Sequence, residues 1–303
     1  LAWANRAINL WPTLTPAHLE AARALAAMGR LEQAMLSYRE ATGGRHRASG
    51  KALQEAFSRT RDVALRERAL PDTAGARAAL CKRLEEERRL DEALTCADVL
   101  AARADATELH RLEPLRLAAR RDDTDTHLGD LRRRVEAHLA RGTPDGLAAA
   151  TVARALARLD GRDAALTATS TWTGLRDPRA LLEWRLAEQG LAGRLDDARA
   201  TLALLRPLAR SPAESDQHDR LEADLCARAG DHGQRVLVLQ RLVARHPGDV
   251  ELLATLGLAE HAAGKTGAAH QTLRRVRETG RAPPSLPDLE RALGLPPTTP
   301  APR

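Results

Sequence analysis

Apolar and small residues recur along the chain at steps of three and four, in segments of about ten to twenty residues broken by Gly, Pro and Asp. That spacing is the period of an amphipathic helix, and no convincing run of alternating β-branched residues reads as a strand. The pattern predicts an all-α protein of short helices. Its clearest segment runs from Thr15 to about Gly44. His18, Ala21, Ala22 and Leu25 fall on a first helix, Gly29-Arg30-Leu31 interrupts it, and Ala34, Tyr38 and Ala41 fall on a second. Ala22 and Ala34 are small where two antiparallel helices must approach closely, and Gly29 ends the first helix. Leu25 and Tyr38 are large enough to fill the space between neighbouring hairpins.

The same arrangement returns around Cys81, Arg88-Arg89-Leu90 and Ala93; around Ala153, Leu156 and Ala165; around Gly193-Arg194-Leu195 and Ala198; and around Ala223, Gly230-Asp231 and Leu239. It is cleanest where Pro247-Gly248-Asp249 precedes Leu253, Leu256, Gly257, Gly264-Lys265-Thr266, Ala269, Leu273 and Val276. The small position of the second helix falls at Ala34, Ala93, Ala165, Ala198, Arg235 and Ala269, at spacings of 59, 72, 33, 37 and 34 residues. These are one or two periods of a unit of about 34 residues. Arg235 stands where Ala or Gly is usual.

In these residues and this period the chain resembles the tetratricopeptide repeat family. The resemblance implies a right-handed α-solenoid of about eight helix-turn-helix hairpins, with first helices lining a concave groove and second helices forming the back. Ala4, Ala7 and Pro12, beside Trp3 and Trp11, place residues 1–12 at the end of a preceding repeat. The solenoid is expected over 13–281, with divergent hairpins near 46–70 and 104–141. Residues 282–303 read as a Pro-rich tail with a short capping helix over 287–293. A start inside a repeat and a Pro-rich end suggest an excerpt from a longer, bacterial protein.

Composition sharpens this picture in a few places. The apolar share of 43% is mostly Ala and Leu with 2% aromatics, which favours helix over strand. The formal charge of +6 raises the question of nucleic acid, but acidic and basic residues alternate, as in Glu85-Glu86-Glu87-Arg88-Arg89, so no long single-sign stripe forms. Lys51, Lys82 and Lys265 are the only lysines, and a nucleic-acid partner is disfavoured. Cys81, Cys96 and Cys226 include no C-x-x-C pair and read as small core residues. No apolar stretch is long enough for a membrane span.

Candidate chemistry is sparse. Ala259-x-x-x-x-Gly264-Lys265-Thr266 lacks the first Gly of a phosphate-binding loop, and it follows a helical run rather than a strand. Asp122, Asp123 and Asp125 read as helix-capping charge before a helix beginning near Thr126. His261 and His270 fall on different helices of one hairpin, and no H-E-x-x-H or G-x-S-x-G segment is present. Trp172 and Trp184 are expected in the core rather than on a ligand. The sequence therefore predicts no enzyme, no cofactor and no metal.

What the resemblance implies is a non-catalytic scaffold that binds a protein or peptide in the groove. The candidate groove-facing residues are His18, Arg23, Met28, Arg154, Glu183, Arg220 and Glu260, all on or near first helices. Arginine in a partly desolvated groove suits carboxylates, so an acidic or C-terminal segment is the expected partner. Three settings fit such an array: the periplasmic scaffold region of an outer-membrane exopolysaccharide exporter, the recognition region of a glycosyl- or sulfotransferase, and a cytoplasmic adaptor or regulator. The unpaired thiol leans toward a reducing compartment, which favours the cytoplasm slightly and leaves the periplasm open.

Overall fold

The computed structural model describes residues 1–43, 48–122, 124–142 and 145–296. Among them the secondary structure is helical, with one isolated parallel β-bridge between Asp145 and Arg176. The chain divides into two compact units, Leu1–Gly142 and Thr143–Arg303. Each is an all-α array of helical hairpins in which helices pack on their sequence neighbours.

The first unit holds α1 (Ala2–Leu10), α2 (Thr15–Ala27), α3 (Leu31–Thr42), α4 (Ala48–Arg59), α5 (Val63–Arg68), α6 (Ala74–Glu86), α7 (Leu90–Ala101), α8 (Glu108–Ala118) and α9 (Asp125–Arg141). The second holds α10 (Gly146–Asp160), α11 (Arg162–Ser170), α12 (Arg179–Leu191), α13 (Leu195–Leu205), α14 (Pro212–Arg228), α15 (His232–Arg245), α16 (Val250–Ala262), α17 (Thr266–Glu278) and α18 (Leu286–Ala292).

Local chemistry explains where several helices start. Asp62, Thr73, Thr107, Thr124, Asp145, Ser211, Asp231 and Asp249 each accept a backbone N–H of the following first turn. The helix expected near Thr126 begins at Asp125, because Thr124 is the cap, and Asp122 bonds the His127 ring at 2.5 Å. Asp123 lies outside the described residues.

Five hairpins share one turn. Gly29, Arg88, Gly193, Gly230 and Gly264 all adopt positive φ, between 61 and 76°. The residue after each, Arg30, Arg89, Arg194, Asp231 or Lys265, has φ between −81 and −92° and ψ between 56 and 69°. In every case the N–H of that next residue bonds a carbonyl five residues back, as from Arg30 to Leu25 and from Lys265 to Glu260. This closes the first helix on its orphan carbonyls and aims the chain back along it. Arg235 does not break its unit: its N–H bonds Asp231 as that of Ala34 bonds Arg30, and its half-buried side chain extends beside Leu239.

The cores follow the repeat pattern. Ala22, Ala34, Met35 and Tyr38 are fully buried in the first hairpin, and Ala93, Ala165, Ala198 and Ala269 are buried at the equivalent second-helix position. Trp184 is buried and Trp172 packs partly buried against the same cluster. All three cysteines are buried and free. In the second unit α18 closes the last apolar face by setting Leu286 and Leu289 against Leu253, Leu256 and Val276. Trp3 and Trp11 on and beside α1 are exposed.

The divergent stretch of the first unit is held by a different device. Arg66 of α5 is 1% exposed, with Nε on the Thr60 carbonyl, Nη2 on the Phe57 carbonyl, and both terminal nitrogens on the Glu87 carboxylate, all at 2.8 Å. One guanidinium thereby ties α4, α5 and the end of α6. Its face also lies 5.8 Å from the Phe57 ring centroid.

Candidate functional site

The second unit carries a trough along its first helices. One depression of about 420 Å³ lies between α12 and α14, where Leu186, Ala187, Gly190 and Leu191 face Leu221 and Leu225. Gly190 lines it as a buried residue, where a Cβ would meet Arg228 Nη1 at 3.8 Å, an ordinary van der Waals contact. Toward α16 the trough continues into a second depression of about 330 Å³, sharing Gln217, Leu221 and Asp224 with the first. Toward α10 a third, of about 430 Å³, shares Arg179 and Glu183 with the first and adds Leu147.

Helix periodicity puts these residues together. On α14, Glu214, Gln217, His218, Leu221, Asp224, Leu225 and Arg228 recur at threes and fours and form the trough face. The opposite stripe, Asp216, Asp219 and Glu222, is taken up by Arg206, Arg241, Arg245 and His246. That network binds α14 to its own hairpin partner and to the preceding turn, leaving the trough face unencumbered.

The charges on the rim are mostly satisfied. Arg179 bonds Glu183 at 2.7 Å and Glu214 at 2.9 Å, joining α12 to α14. These carboxylates, Glu214 first, push the Arg179 guanidinium up, and Arg179 in turn holds the Glu214 carboxyl below its ordinary value. Arg228 donates to the Gly190 carbonyl at 2.6 Å, and Arg220 pairs with Asp249 at 3.5 Å. Among the described residues Asp224 finds neither a hydrogen-bond nor an ion-pair partner for its side chain. His218 is buried, with no partner for Nδ1 among them, and the same is true of Arg235 Nε.

Of the residues expected to face a groove, Glu183 and Arg220 line this trough. Arg154 is exposed on α10 two turns after Leu147, on the same helix face. Glu260 is a correction: it is 5% exposed and receives the Thr272 hydroxyl at 2.7 Å, inside the α16/α17 hairpin. In the first unit, His18 Nε2 bonds the Pro12 carbonyl at 2.6 Å, and Met28 is half exposed at the end of α2. Arg23 pairs with Glu20 at 2.7 Å and with Glu55 at 2.9 Å. Glu55 also accepts from Arg59 and from the Tyr38 hydroxyl, and this set, Arg23 foremost, brings its carboxyl down to about 2.

Leu191, Gly190 and Asp224 were not legible as site residues, because a glycine inside a helix and a leucine at its end look like ordinary repeat variation. The signal available was the stripe of mixed apolar and charged residues on α14. Among the described residues no three His, Cys, Asp or Glu side chains gather as ligands to a metal. No described helix is long and apolar enough to cross a membrane. Gly264-Lys265-Thr266 forms the shared inter-helix turn, not a phosphate cradle fed by a strand.

No protein-family model and no curated protein matches the chain. The crystal structure of the P58(IPK) TPR domain is similar to it at a TM-score of 0.32 and 13% sequence identity, over 97% of this chain and 83% of that one.

Proposed function

We propose that the chain is a non-catalytic protein-interaction scaffold that binds a polypeptide segment along the trough over α10, α12, α14 and α16. The observation supporting this reading is the trough itself: adjoining depressions with an apolar floor and a rim whose charges largely neutralise one another. A hairpin array offers the same side of successive first helices as one surface, so a chain laid across it meets several depressions in turn. Exposed Leu191 and Leu221 supply apolar area, and the paired rim orients the bound segment while contributing little net charge.

The test is site-specific photocrosslinking with the purified chain in extract. A photoreactive residue at Leu191 or Leu221 should capture a polypeptide that the same residue at Leu237, exposed on the second helix α15, does not. Leu221→Glu should then weaken binding of the captured partner at an unchanged thermal midpoint. Equal capture from all three positions, or retention of polysaccharide or nucleic acid alone, overturns the reading.

A further inference from the structure

Cys81 on α6 and Cys96 on α7 are fifteen residues apart in sequence, a spacing that marks no redox motif, and the hairpin brings them together. Both are buried, at 1% and 4% exposure, and their thiols are hydrogen-bonded to each other. Cys96 Sγ also donates to the Arg77 carbonyl at 3.7 Å. The repeat gives the same proximity independently. Cys81 stands seven residues before the left-handed Arg88 and Cys96 eight after it, as Gly257 and Thr272 stand about Gly264. A Cβ at Gly257 would lie 3.3 Å from Thr272 Cγ2. Side chains at this pair of positions thus touch at their first atoms, the approach that a disulfide's Cβ separation of about 3.5–4.5 Å requires.

We infer that Cys81 and Cys96 are a modification site: they close to a disulfide within the α6/α7 hairpin when a small disulfide oxidant of the glutathione class is supplied. The hydrogen bond between the pair lowers the Cys96 thiol from its ordinary value and raises that of Cys81, so Cys96 ionises first. The Cys96 thiolate attacks one sulfur of the oxidant, forming a mixed disulfide and releasing one small thiol. Cys81 then loses its proton and attacks Cys96 Sγ, releasing the second. Two protein thiols are oxidised and one small disulfide is reduced to two thiols. Because both cysteines are buried, the oxidant meets them before the hairpin packs or while it opens locally. The new bond closes a loop of fourteen intervening residues, 82–95, and so restrains the unfolded chain while leaving the packed hairpin as it is. Cys226, in the second unit, is buried with no second cysteine in that unit, and burial raises its thiol, so it stays reduced.

The test uses the whole chain and oxidised glutathione, added either to the folded protein overnight or during refolding from urea. Remaining thiols are alkylated under denaturing conditions, and tryptic fragments are mapped by mass spectrometry without reduction. The natural chain should keep one alkylated thiol, at Cys226, and yield fragment 78–82 joined to fragment 90–103. The linked form should melt about 5 °C or more above the reduced form, and dithiothreitol should abolish the difference. Cys226→Ala should behave as the natural chain, whereas Cys81→Ala should give no linked fragments and no gain in midpoint. Three alkylated thiols in the natural chain by both routes overturn the site, as does a bridge to Cys226 in place of the Cys81 to Cys96 link. A linked form that melts at or below the reduced form overturns it too, because the bond then forms only by distorting the hairpin.

Discussion

The Thr272 hydroxyl donates to the Glu260 carboxylate at 2.7 Å, and both side chains are buried between α16 and α17. The Gln189 amide and Thr201 hydroxyl make the same kind of contact at 2.8 Å between α12 and α13. In each pair the partners are twelve residues apart and straddle a left-handed glycine, Gly264 or Gly193. The repeat thus reuses a polar cross-link at positions where the α14/α15 hairpin buries Cys226 and Val238. Thr272→Val keeps the shape and removes the donor, and should destabilise the chain by about 1–3 kcal/mol, with Glu260→Gln milder. Urea denaturation checks this; an unchanged midpoint for Thr272→Val would show that Glu260 is satisfied without it.

Arg66 and Glu87 should behave as a buried unit. Arg66→Met strips Glu87 of its main partner and should cost about 3–5 kcal/mol, part of which the Arg66→Met, Glu87→Leu double variant recovers. Arg66 beside Glu87 brings its carboxyl down to about 2. Because the folded value lies below the unfolded one, about 4.3, this stabilisation is complete above that value and is lost as pH falls toward 2. Denaturation midpoints across that window should fall less steeply in Arg66→Met than in the natural chain. Parallel slopes would mean that the pair is not coupled to folding.

The shared turn predicts opposite effects at two equivalent positions. Arg88 is held at φ 61° with an exposed side chain that makes no hydrogen bond or ion pair among the described residues, so Arg88→Gly should stabilise by about 0.5–1 kcal/mol. Gly264→Ala, at φ 74°, should destabilise by about 1–2 kcal/mol. Thermal midpoints moving in the same direction for both would contradict a common left-handed turn.

Close helix approach is tested by overpacking. A Cβ at Gly257 would lie 2.8 Å from Leu289 Cδ2 of α18 and 3.3 Å from Thr272 Cγ2, and Ala22 is fully buried against α3. Gly257→Leu and Ala22→Leu should each destabilise by about 1–3 kcal/mol, whereas Gly190→Ala, whose Cβ would make only an ordinary 3.8 Å contact with Arg228 Nη1, should stabilise by about 0.5–1 kcal/mol. Differential scanning calorimetry separates the two classes, and a destabilised Gly190→Ala would mean that Arg228 cannot accommodate a methyl group there.

Apolar spacing, small residues at the crossings and glycine after the first helix determined the helices and their pairing, because each acts within one hairpin and repeats from one to the next. Even the turn at Arg88 was placed by its neighbours, although its residue type argued against a left-handed conformation. Contacts made between elements distant in sequence were decided only by tertiary structure. Nothing local marks Arg66 as a buried charge, since its neutralising partner Glu87 is twenty-one residues away. Glu260 is withdrawn from a groove by Thr272 across its hairpin, and Arg23 and Arg220 are engaged by Glu55 and Asp249, which lie thirty-two and twenty-nine residues away in sequence. Helix periodicity says which residues share a face, but which faces stay open depends on how far apart α12, α14 and α16 stand, and that distance is set by packing across whole hairpins.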